Sequence, residues 1–467
     1  MKDISARLQK IAQSAPHWTE LRYQKRRSQS LQVQKGLIKQ AKSNVVAGLG
    51  VRVFVDGAWG FSSTTDLGLK GIEKAVKDAS RCATELSGFV KKSGIKKLPE
   101  VVLARGEFML PGVVELGNMS LEQKLATVLQ AEERIRNCSS KIQSATCTYQ
   151  EFFEDKIVVT SDGAQALSCL ARNELRLTAV AAQQGQLVEG HHSIGRTGPW
   201  ECLFNPNAVE VMSEQTAKLA ADLLKAPRVS GGLSTLILSP AMVGLLAHEA
   251  IGHTVEADFV LSGSVASGKL GKMVASPLIT LCDSGKVDEN PFGGGDILVD
   301  DEGVKAGTTV IIGNGILMSY LHNRESAALF EVEPTGNARA WLFRDEPLIR
   351  MRNTYIKPGN TSLEEMIQST DDGYLVDGPL GGQADATGEF MFGAQKVQKI
   401  QKGRVTDLYR GATISGQAFN VLSTVDALSK EFRLDLGSGY CGKGQPAKVD
   451  AGGPYLRCKA IIGGIQK

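Results

Sequence analysis

The segment 233–257 constrains the fold more than any other part of the chain. Its first six residues, Leu-Ser-Thr-Leu-Ile-Leu, have the apolar character of a buried strand. Ser239 follows directly and can cap a helix, and Pro240 suits the first helical turn. The sequence therefore predicts a buried strand that passes without a linker into a helix running from Ala241 to about Ala257.

Two of the six histidines in the chain lie on this predicted helix. His248 and His253 form the pattern H-E-x-x-x-H, with Glu249 beside the first histidine. On a regular α-helix five residues turn through roughly 500°, so the imidazoles would point about 140° apart and could not easily share an ion. A π-bulge or a broken last turn would absorb the extra residue, and Gly252 tolerates such a distortion. The spacing alone leaves open both a metal site and a pair of ordinary buried histidines.

Glycine is abundant and proline is scarce, which favours tight turns and hairpins over flexible linkers. The chain contains 51 Gly and 15 Pro among its 467 residues. Hairpin signals occur at Asp56-Gly57 and at Asn314-Gly315, and Asp162-Gly163 joins two further strand patterns. Apolar residues at helical spacing predict helices at residues 3–14, 69–85, 120–136 and 207–223.

A domain boundary is predicted near residue 228. The helix that begins at Asn207 ends before Ala226-Pro227, and the chain continues into the glycine pair 231–232. We therefore expect an N-terminal domain of helices and sheet at residues 1–228. The second domain, residues 229–467, is predicted to be mostly antiparallel sheet and to carry the H-E-x-x-x-H helix. The predicted fold class of the whole chain is α+β.

The nearly neutral charge argues against a dedicated nucleic-acid-binding protein. Lys and Arg together number 53 and Asp and Glu number 50, which gives a net charge of +3. The densest basic cluster, at residues 25–27, lies in a segment that alternates apolar and polar residues. This pattern predicts the solvent-facing side of an edge strand rather than a phosphate-binding patch. We therefore expect no direct contact with nucleic acid.

The cysteines and the apolar segments predict a cytoplasmic protein. Eight cysteines are scattered along the chain without a C-x-x-C pair, which is typical of thiols in a reducing compartment. The N-terminal segment lacks the continuous apolar stretch of a signal peptide. The most apolar segment, 233–250, contains a proline, a histidine and a glutamate, so no membrane-spanning helix is expected.

Four motifs, in order along the chain, resemble those of the TldD/PmbA family, specifically its TldD-type members. Residues 248–258 resemble the H-E-x-x-x-H-x-x-E-a-D signature of that family. Three further segments are similar to its N-terminal sheet motif, to the centre of its C-terminal domain and to its C-terminal cysteine motif: Gly50–Phe61, Thr335–Tyr355 and Gly437–Gln445. The resemblance covers nearly the whole chain.

The resemblance implies a zinc-dependent metallopeptidase that hydrolyses peptides or unstructured polypeptide segments. It implies that zinc is bound by His248, His253 and the cysteine of the last motif, Cys441. Two imidazoles and a thiolate suit zinc with a fourth position open for water, and a thiolate disfavours magnesium and calcium. Glu249 would then be the general base. The loop after Cys441 is one residue shorter than the family pattern C-G-K-x-G-Q.

Other residues are weaker candidates for the metal site. Glu256, three residues after His253, is the alternative third ligand. His191 and His192 are flanked by glycine and are predicted to form an exposed or substrate-facing pair in a loop. His322 is predicted to be structural.

The resemblance also implies a dimer, formed either with a second copy or with a PmbA/TldE-like chain that lacks the zinc motif. A site enclosed by such a dimer would admit peptides and exclude folded proteins. The glycine tracts 293–295 and 381–382 are predicted to form flexible walls around it. Two alternative functions remain open, a non-catalytic partner subunit and a gyrase- or nucleic-acid-associated regulator. The intact metal motif argues against the first, and the lack of a DNA-binding motif argues against the second.

Overall fold

Two large sheets organise the chain. The structure, a computed structural model, describes residues 2–89, 95–205 and 207–463. Within these ranges a seven-stranded sheet occupies the N-terminal half and a ten-stranded sheet the C-terminal half, together with two short two-stranded ribbons. Most strand pairs are antiparallel, and helices accompany both sheets. The predicted α+β fold class, with a mostly antiparallel C-terminal part, is confirmed.

The N-terminal sheet is antiparallel except for one edge strand. In chain order its strands are β1 (Trp18–Gln34), β2 (Leu37–Val55), β3 (Ala58–Thr64), β4 (Arg105–Met109), β5 (Ile142–Thr160), β6 (Gln165–Gln183) and β7 (Gln186–Thr197). They lie in the order β3-β2-β1-β5-β6-β4, with β7 also paired to β6 and with β4 parallel to β6. The predicted turns Asp56-Gly57 and Asp162-Gly163 join β2 to β3 and β5 to β6, and both glycines have positive φ.

Helices cover this sheet in two groups. In the described part of the N-terminal half they are α1 (Lys2–Ser14), α2 (Leu69–Ser87), α3 (Val113–Asn118), α4 (Leu121–Asn137) and α5 (Ala208–Leu223), with a 3₁₀ turn at Trp200–Cys202. α4 begins with a capping box, in which the Gln123 N–H donates to Ser120 Oγ at 3.2 Å and the Ser120 N–H donates to Gln123 Oε1 at 3.0 Å. α1 and α2 pack over one stretch of the sheet and α4 and α5 over another, so two separate cores form.

The basic cluster at residues 25–27 does not lie on an edge strand, so that prediction is wrong. β1 pairs with β2 on one side and with β5 on the other. Arg26 is buried; its Nε donates to Glu154 at 3.1 Å, and its guanidinium lies 3.8 Å from the centre of the Trp341 ring. Alternation identifies a strand, but it carries no information about how many neighbours flank that strand.

Fourteen further strands lie in the C-terminal half as far as residue 463. In chain order they are β8 (Gly232–Leu238), β9 (Leu281–Ser284), β10 (Thr308–Gly313), β11 (Ile316–Leu317), β12 (Ala338–Arg339), β13 (Leu348–Ile349), β14 (Asn353–Ile356), β15 (Asp372–Ala384), β16 (Glu389–Gln401), β17 (Arg404–Gln417), β18 (Ala427–Leu434), β19 (Tyr440–Gly442), β20 (Pro446–Lys448) and β21 (Asp450–Gly463). β12 with β13 and β19 with β20 form the two ribbons, and the other ten form one sheet.

Five strands of this sheet close into a barrel. β8 pairs in parallel with β15 and in antiparallel with β21. The antiparallel pairs β15–β16, β16–β17 and β17–β21 complete the circuit. β14, β9, β10 and β11 extend the sheet outward from β21, and β18 also pairs with β21. The largest apolar core lies in this region and includes buried side chains of the helix that follows β8.

The helix after β8 begins as predicted and is pressed against the barrel. Helical segments in the described C-terminal half are α6 (Pro240–Leu245), a π-helical segment (Leu246–Gly252), a 3₁₀ turn (His253–Val255), α7 (Ala257–Leu261), α8 (Arg324–Phe330), α9 (Leu363–Gln368) and α10 (Ala418–Ser423). Ser239 caps α6 by accepting from the Met242 N–H. A Cβ at Gly244 would lie 2.7 Å from the backbone of Ala451 in β21, so the helix can approach only with glycine there. Among the described helices none is long and apolar enough to cross a bilayer.

The glycine tract 293–295 was predicted to form a flexible wall around the site, but it is buried and hydrogen-bonded. All three glycines are buried. The Gly294 N–H donates to Asp450 Oδ2 at 2.8 Å, and the Gly295 N–H donates to Asn353 Oδ1 at 3.1 Å. The tract is therefore held against the chain's own C-terminal sheet. The tract 381–382 lies exposed in β15.

Candidate metal centre

The helix that carries the two histidines changes its winding. α6 ends at Leu245, and the π-helical segment and the 3₁₀ turn follow it. The His253 N–H donates to the carbonyl of His248, five residues back instead of four. Because this wider turn accommodates one extra residue, the two imidazoles lie close together, with ring centroids 5.2 Å apart. The predicted distortion of the helix between these histidines is confirmed.

Gly252 allows this helix to pack against Met351. An ideal Cβ at Gly252 would lie 2.0 Å from Met351 Sδ. The glycine has φ −54° and ψ −48°, which is an ordinary helical conformation. Close packing against Met351, rather than a special backbone conformation, therefore favours glycine here.

The three predicted ligands converge from distant parts of the sequence. His248 and His253 come from the distorted helix, and Cys441 comes from the ribbon β19–β20. Cys441 Sγ lies 3.1 Å from His253 Nε2. One ligand atom from each of the three residues lies within 4.8 Å of the other two. Among the His, Cys, Asp and Glu side chains of the described residues, these three lie close enough together to bind one metal ion.

The surroundings of His248 fit a bound cation. The residue is 4% exposed, and neither Nδ1 nor Nε2 has a hydrogen-bond partner. An unpaired polar group in the interior costs about 1–3 kcal/mol, and a metal ion that binds one of these nitrogens would remove part of that cost. A donor set of two imidazoles and a thiolate matches zinc better than magnesium or calcium.

Charge coupling keeps the cysteine in the form that binds metals. Burial alone would raise the pKa of the Cys441 thiol, but the neighbouring imidazoles of His248 and His253 outweigh burial and lower that pKa to about 4. Burial alone would lower the pKa of His253, but hydrogen bonds to Cys441 and Glu256 raise it to about 10. Cys441 is therefore a thiolate at neutral pH.

Glu256 contacts the far side of the His253 ring. Its Oε2 lies 3.0 Å from His253 Nδ1, whereas Cys441 lies next to Nε2. Burial alone would raise the pKa of Glu256, but its contacts with His253 and Lys443 outweigh burial and lower it. A carboxylate in this position fixes the tautomer and orientation of an imidazole ligand. The geometry favours Cys441 over Glu256 as the third ligand.

Lys443 links the cysteine ribbon to the end of the histidine helix. Its Nζ lies 3.0 Å from Glu256 Oε2, 2.7 Å from Asp258 Oδ2 and 3.1 Å from the Ile349 carbonyl oxygen. Lys443, Glu256 and Asp258 all lie in the sequence motifs, but the sequence analysis assigned no role to Lys443 or Asp258. The position of a lysine two residues after the candidate thiolate ligand could have indicated that it lies near the metal centre.

Arg350 holds the same ribbon from a second direction. Its guanidinium is buried and donates to the carbonyl oxygen of Cys441 at 2.6 Å and to that of Gln445 at 2.8 Å. Gln445 in turn donates from Nε2 to the Glu346 carbonyl oxygen and accepts from the Trp341 N–H. The position of Cys441 is therefore set by several bonds to residues 341–350.

Glu249 borders the three ligands and remains accessible to solvent. Its side chain is 26% exposed, and its Oε2 lies 3.7 Å from His253 Nε2. An accessible carboxylate beside the ligand atoms can accept a proton from water at the centre.

The other histidines do not join the cluster. His191 and His192 lie in β7, so the prediction that they form a loop is wrong. They are half-buried, and His192 Nδ1 lies 3.0 Å from Thr216 Oγ1. His322 is buried, and its Nδ1 lies 3.1 Å from Ser326 Oγ, as expected for a structural histidine.

The barrel, the distorted H-E-x-x-x-H helix and the convergent cysteine form a candidate metal centre of two imidazoles and one thiol group. Three family models match the chain in order: the PmbA/TldA metallopeptidase domain 1 at residues 19–83, the central domain at residues 115–224 and the C-terminal domain at residues 231–463. The chain belongs to the PmbA/TldA metallopeptidase family, also called PmbA/TldD, and the resemblance in the motifs is confirmed.

Relatives from archaea cover nearly the full length of the chain. A metalloprotease of Methanothermobacter thermautotrophicus is 33% identical over 454 residues, which cover 96% of this chain and 95% of that one. A zinc metalloprotease TldD homolog of Saccharolobus solfataricus is 27% identical over 431 residues, covering 91% and 92%. The crystal structure of TldE from Thermococcus kodakarensis matches with a TM-score of 0.81 at 19% identity, covering 99% of this chain and 100% of that one. The relatives establish a protease at the level of the family, and the structural match establishes the fold.

Replacing Glu256 by glutamine is expected to weaken metal binding about 10- to 100-fold, because the neutral amide no longer holds the His253 imidazole electrostatically. Competition with a chromophoric chelator measures this change. Asp258→Asn is the matched control, since Asp258 contacts Lys443 but not His253. Complete loss of metal in Glu256→Gln would instead identify Glu256 as a direct ligand.

Proposed function

We propose that the chain is a zinc-dependent peptidase that hydrolyses peptides or unstructured segments of polypeptide. The observation that carries this proposal is the cluster of His248, His253 and Cys441 with the accessible Glu249 at its edge. Membership of a metallopeptidase family supports proteolysis. The two imidazoles and the thiolate support zinc as the metal.

The roles of the residues follow from their positions. His248, His253 and Cys441 would hold the zinc ion, which when bound supplies Lewis acidity toward a water molecule and toward the scissile carbonyl. Glu249 accepts a proton from the attacking water on its carboxylate and then donates that proton to the leaving amine nitrogen. Glu256 retains the proton on His253 Nδ1, which leaves Nε2 free to bind metal.

Removal and return of the metal test this function directly. The purified chain is incubated with a mixture of unstructured peptides, and the products are identified by mass spectrometry. We expect hydrolysis to stop when a chelator removes the metal and to resume when zinc is added back. Undiminished hydrolysis by protein shown to be free of metal would exclude the proposal.

We further propose that the chain acts as a dimer, with a second copy or with a PmbA/TldE-like chain. The chain shares its fold with TldE, so a TldE-like partner would be a like-folded subunit, and such pairs can assemble around a pseudo-two-fold axis. Localisation in the cytoplasm and the absence of direct contact with nucleic acid stay predictions. The intact cluster disfavours a non-catalytic subunit.

Size-exclusion chromatography with light scattering is expected to show a dimer of the chain, either with itself or with a homologue that lacks the metal motif. The dimer should cleave short or unfolded peptides and leave a folded protein intact under the same conditions. Activity that appears only after the motif-less homologue is added would identify the heteromeric form. A fully active monomer, or rapid cleavage of native globular proteins, would argue against an enclosed site.

A further inference from the structure

A small cavity lies where the N-terminal sheet meets the ribbon that carries Cys441. Its volume is about 30 Å³, enough for a small anion or one or two water molecules. Five cationic side chains line it: Arg26, Lys156 and Arg172 from the N-terminal sheet, and Arg339 and Lys448 from the C-terminal half. Ala447, which also lines the cavity, is paired with Cys441 across the ribbon. The cavity is therefore one strand away from the candidate metal ligand.

Two of these arginines have only neutral partners. Arg172 is 4% exposed; its Nε donates to Thr197 Oγ1 at 3.1 Å and its Nη2 donates to the Asp296 backbone carbonyl at 2.7 Å. Arg339 is 8% exposed, and it donates to the backbone carbonyls of Met351 and Lys448. Among the described residues, neither guanidinium forms an ion pair with a carboxylate. Buried cations of this kind are costly unless an anion compensates them.

A third arginine leaves one nitrogen unpaired. Arg26 is 8% exposed, and its Nε and Nη2 donate to Glu154, but its buried Nη1 has no hydrogen-bond partner. The carboxylates around the cavity are already engaged. Glu154 also pairs with Lys156, Lys156 lies 2.7 Å from Asp301, and Asp300 accepts three backbone N–H groups.

The pKa values of three of these side chains are lowered, which means that burial disfavours their charged forms. Burial and the nearby Arg172 and Arg350 lower the pKa of Arg339 to about 9. Burial also lowers the pKa of Arg172 to about 10, although Glu154 acts in the opposite sense. Lys448 pairs with Glu174, and burial still lowers its pKa to about 8. Burial is thus the main cause that disfavours the charged forms, and the lining carboxylates Glu154 and Asp301 only partly offset it.

We propose that this cavity binds a small monovalent anion of the size of chloride, held by the guanidinium groups of Arg26, Arg172 and Arg339. Arg26 and Arg172 come from β1 and β6, whereas Arg339 donates to Lys448 of the cysteine ribbon. The anion would therefore fasten the N-terminal sheet to the ribbon that positions Cys441. This site does not depend on the proposed peptidase activity.

Diffraction with bromide tests the site directly. Crystals of the full chain are grown with bromide in place of chloride, and data are recorded at the bromine absorption edge. We expect an anomalous peak in the cavity between Arg172 and Arg339. Water density alone at this position in saturating bromide would overturn the proposal. An adventitious ion only, seen as a peak without any effect of the anion on stability, would overturn it as well.

Thermal unfolding at constant ionic strength tests the site in solution. When chloride is replaced by gluconate, which is too large for the cavity, Tm is expected to fall by about 2–5 °C. Arg339→Met is expected to abolish this difference. Arg176→Met is the matched control, since Arg176 lies on the same strand as Arg172 but is 39% exposed and does not line the cavity. Equal Tm values of the unmodified chain in the two salts would contradict the proposal.

Discussion

Peptide hydrolysis is expected to fall at least about 100-fold in Glu249→Gln, while metal content and folding are retained. Glutamine has nearly the shape of glutamate but cannot accept the proton of the attacking water. The side chain is partly exposed, and Oε2 lies 3.7 Å from the nearest imidazole nitrogen, so the substitution removes no close bond within the ligand cluster. The loss should therefore appear in the chemical step and not in the amount of bound metal.

Measurement of kcat/KM on one peptide, together with metal analysis of the same sample, separates these effects. Glu289→Gln is the matched control, because Glu289 is an exposed carboxylate in the same half of the chain and outside the cluster. Activity of Glu249→Gln within tenfold of the unmodified chain would show that Glu249 is not the general base.

Cys441→Ser is expected to lose most of the bound zinc, with the stoichiometry falling from about one ion per chain toward zero. A serine hydroxyl stays protonated at neutral pH and is a hard, weak ligand, whereas the Cys441 thiol has its pKa lowered to about 4 and is a thiolate. His253→Ala should have the same effect, because it removes the imidazole that lies 3.1 Å from the Cys441 sulfur. Hydrolysis should be lost together with the metal in both variants.

Elemental analysis after dialysis checks this result. Cys138→Ser controls for zinc bound by an exposed thiol, and it should retain the full amount. Full retention of zinc in Cys441→Ser would eliminate Cys441 as a ligand and leave Glu256 as the third ligand. Glu249→Gln and Cys441→Ser thus differ in metal content even though both lose activity.

The distorted helix is an example of a feature that could be predicted from neighbouring residues in the sequence. Two histidines five positions apart do not suit a regular α-helix whose imidazoles share one ion, and the structure has a π-helical segment followed by a 3₁₀ turn there. The strand before it, the Ser239 cap and the hairpin at Asp56-Gly57 were likewise predictable. Each of these features depends on residues that are neighbours along the chain.

Three predictions were wrong about which parts of the protein lie next to a segment. The alternation at residues 25–27 identified a strand but placed it at an edge, although β5 covers its second side. The glycines around His191 and His192 suggested a loop, but the pair lies in β7 and hydrogen-bonds along β6. The tract 293–295 suggested a flexible wall around the site, but it is hydrogen-bonded to Asn353 and Asp450. In each case the missing information was a partner from a distant part of the sequence.

By itself the sequence determined the periodic elements, their caps and turns, and the need for a distorted helix at His248–His253. Cys441 was predicted as a ligand only from the resemblance to a family, because no sequence spacing relates it to those histidines. Only the tertiary structure placed its sulfur beside His253, 188 residues away, and gathered Arg172 and Arg339 at one cavity where neither forms an ion pair with a described carboxylate. Periodicity reflects the geometry of one element, whereas contacts between elements depend on how the sheets close and dock, which leaves no regular pattern along the chain.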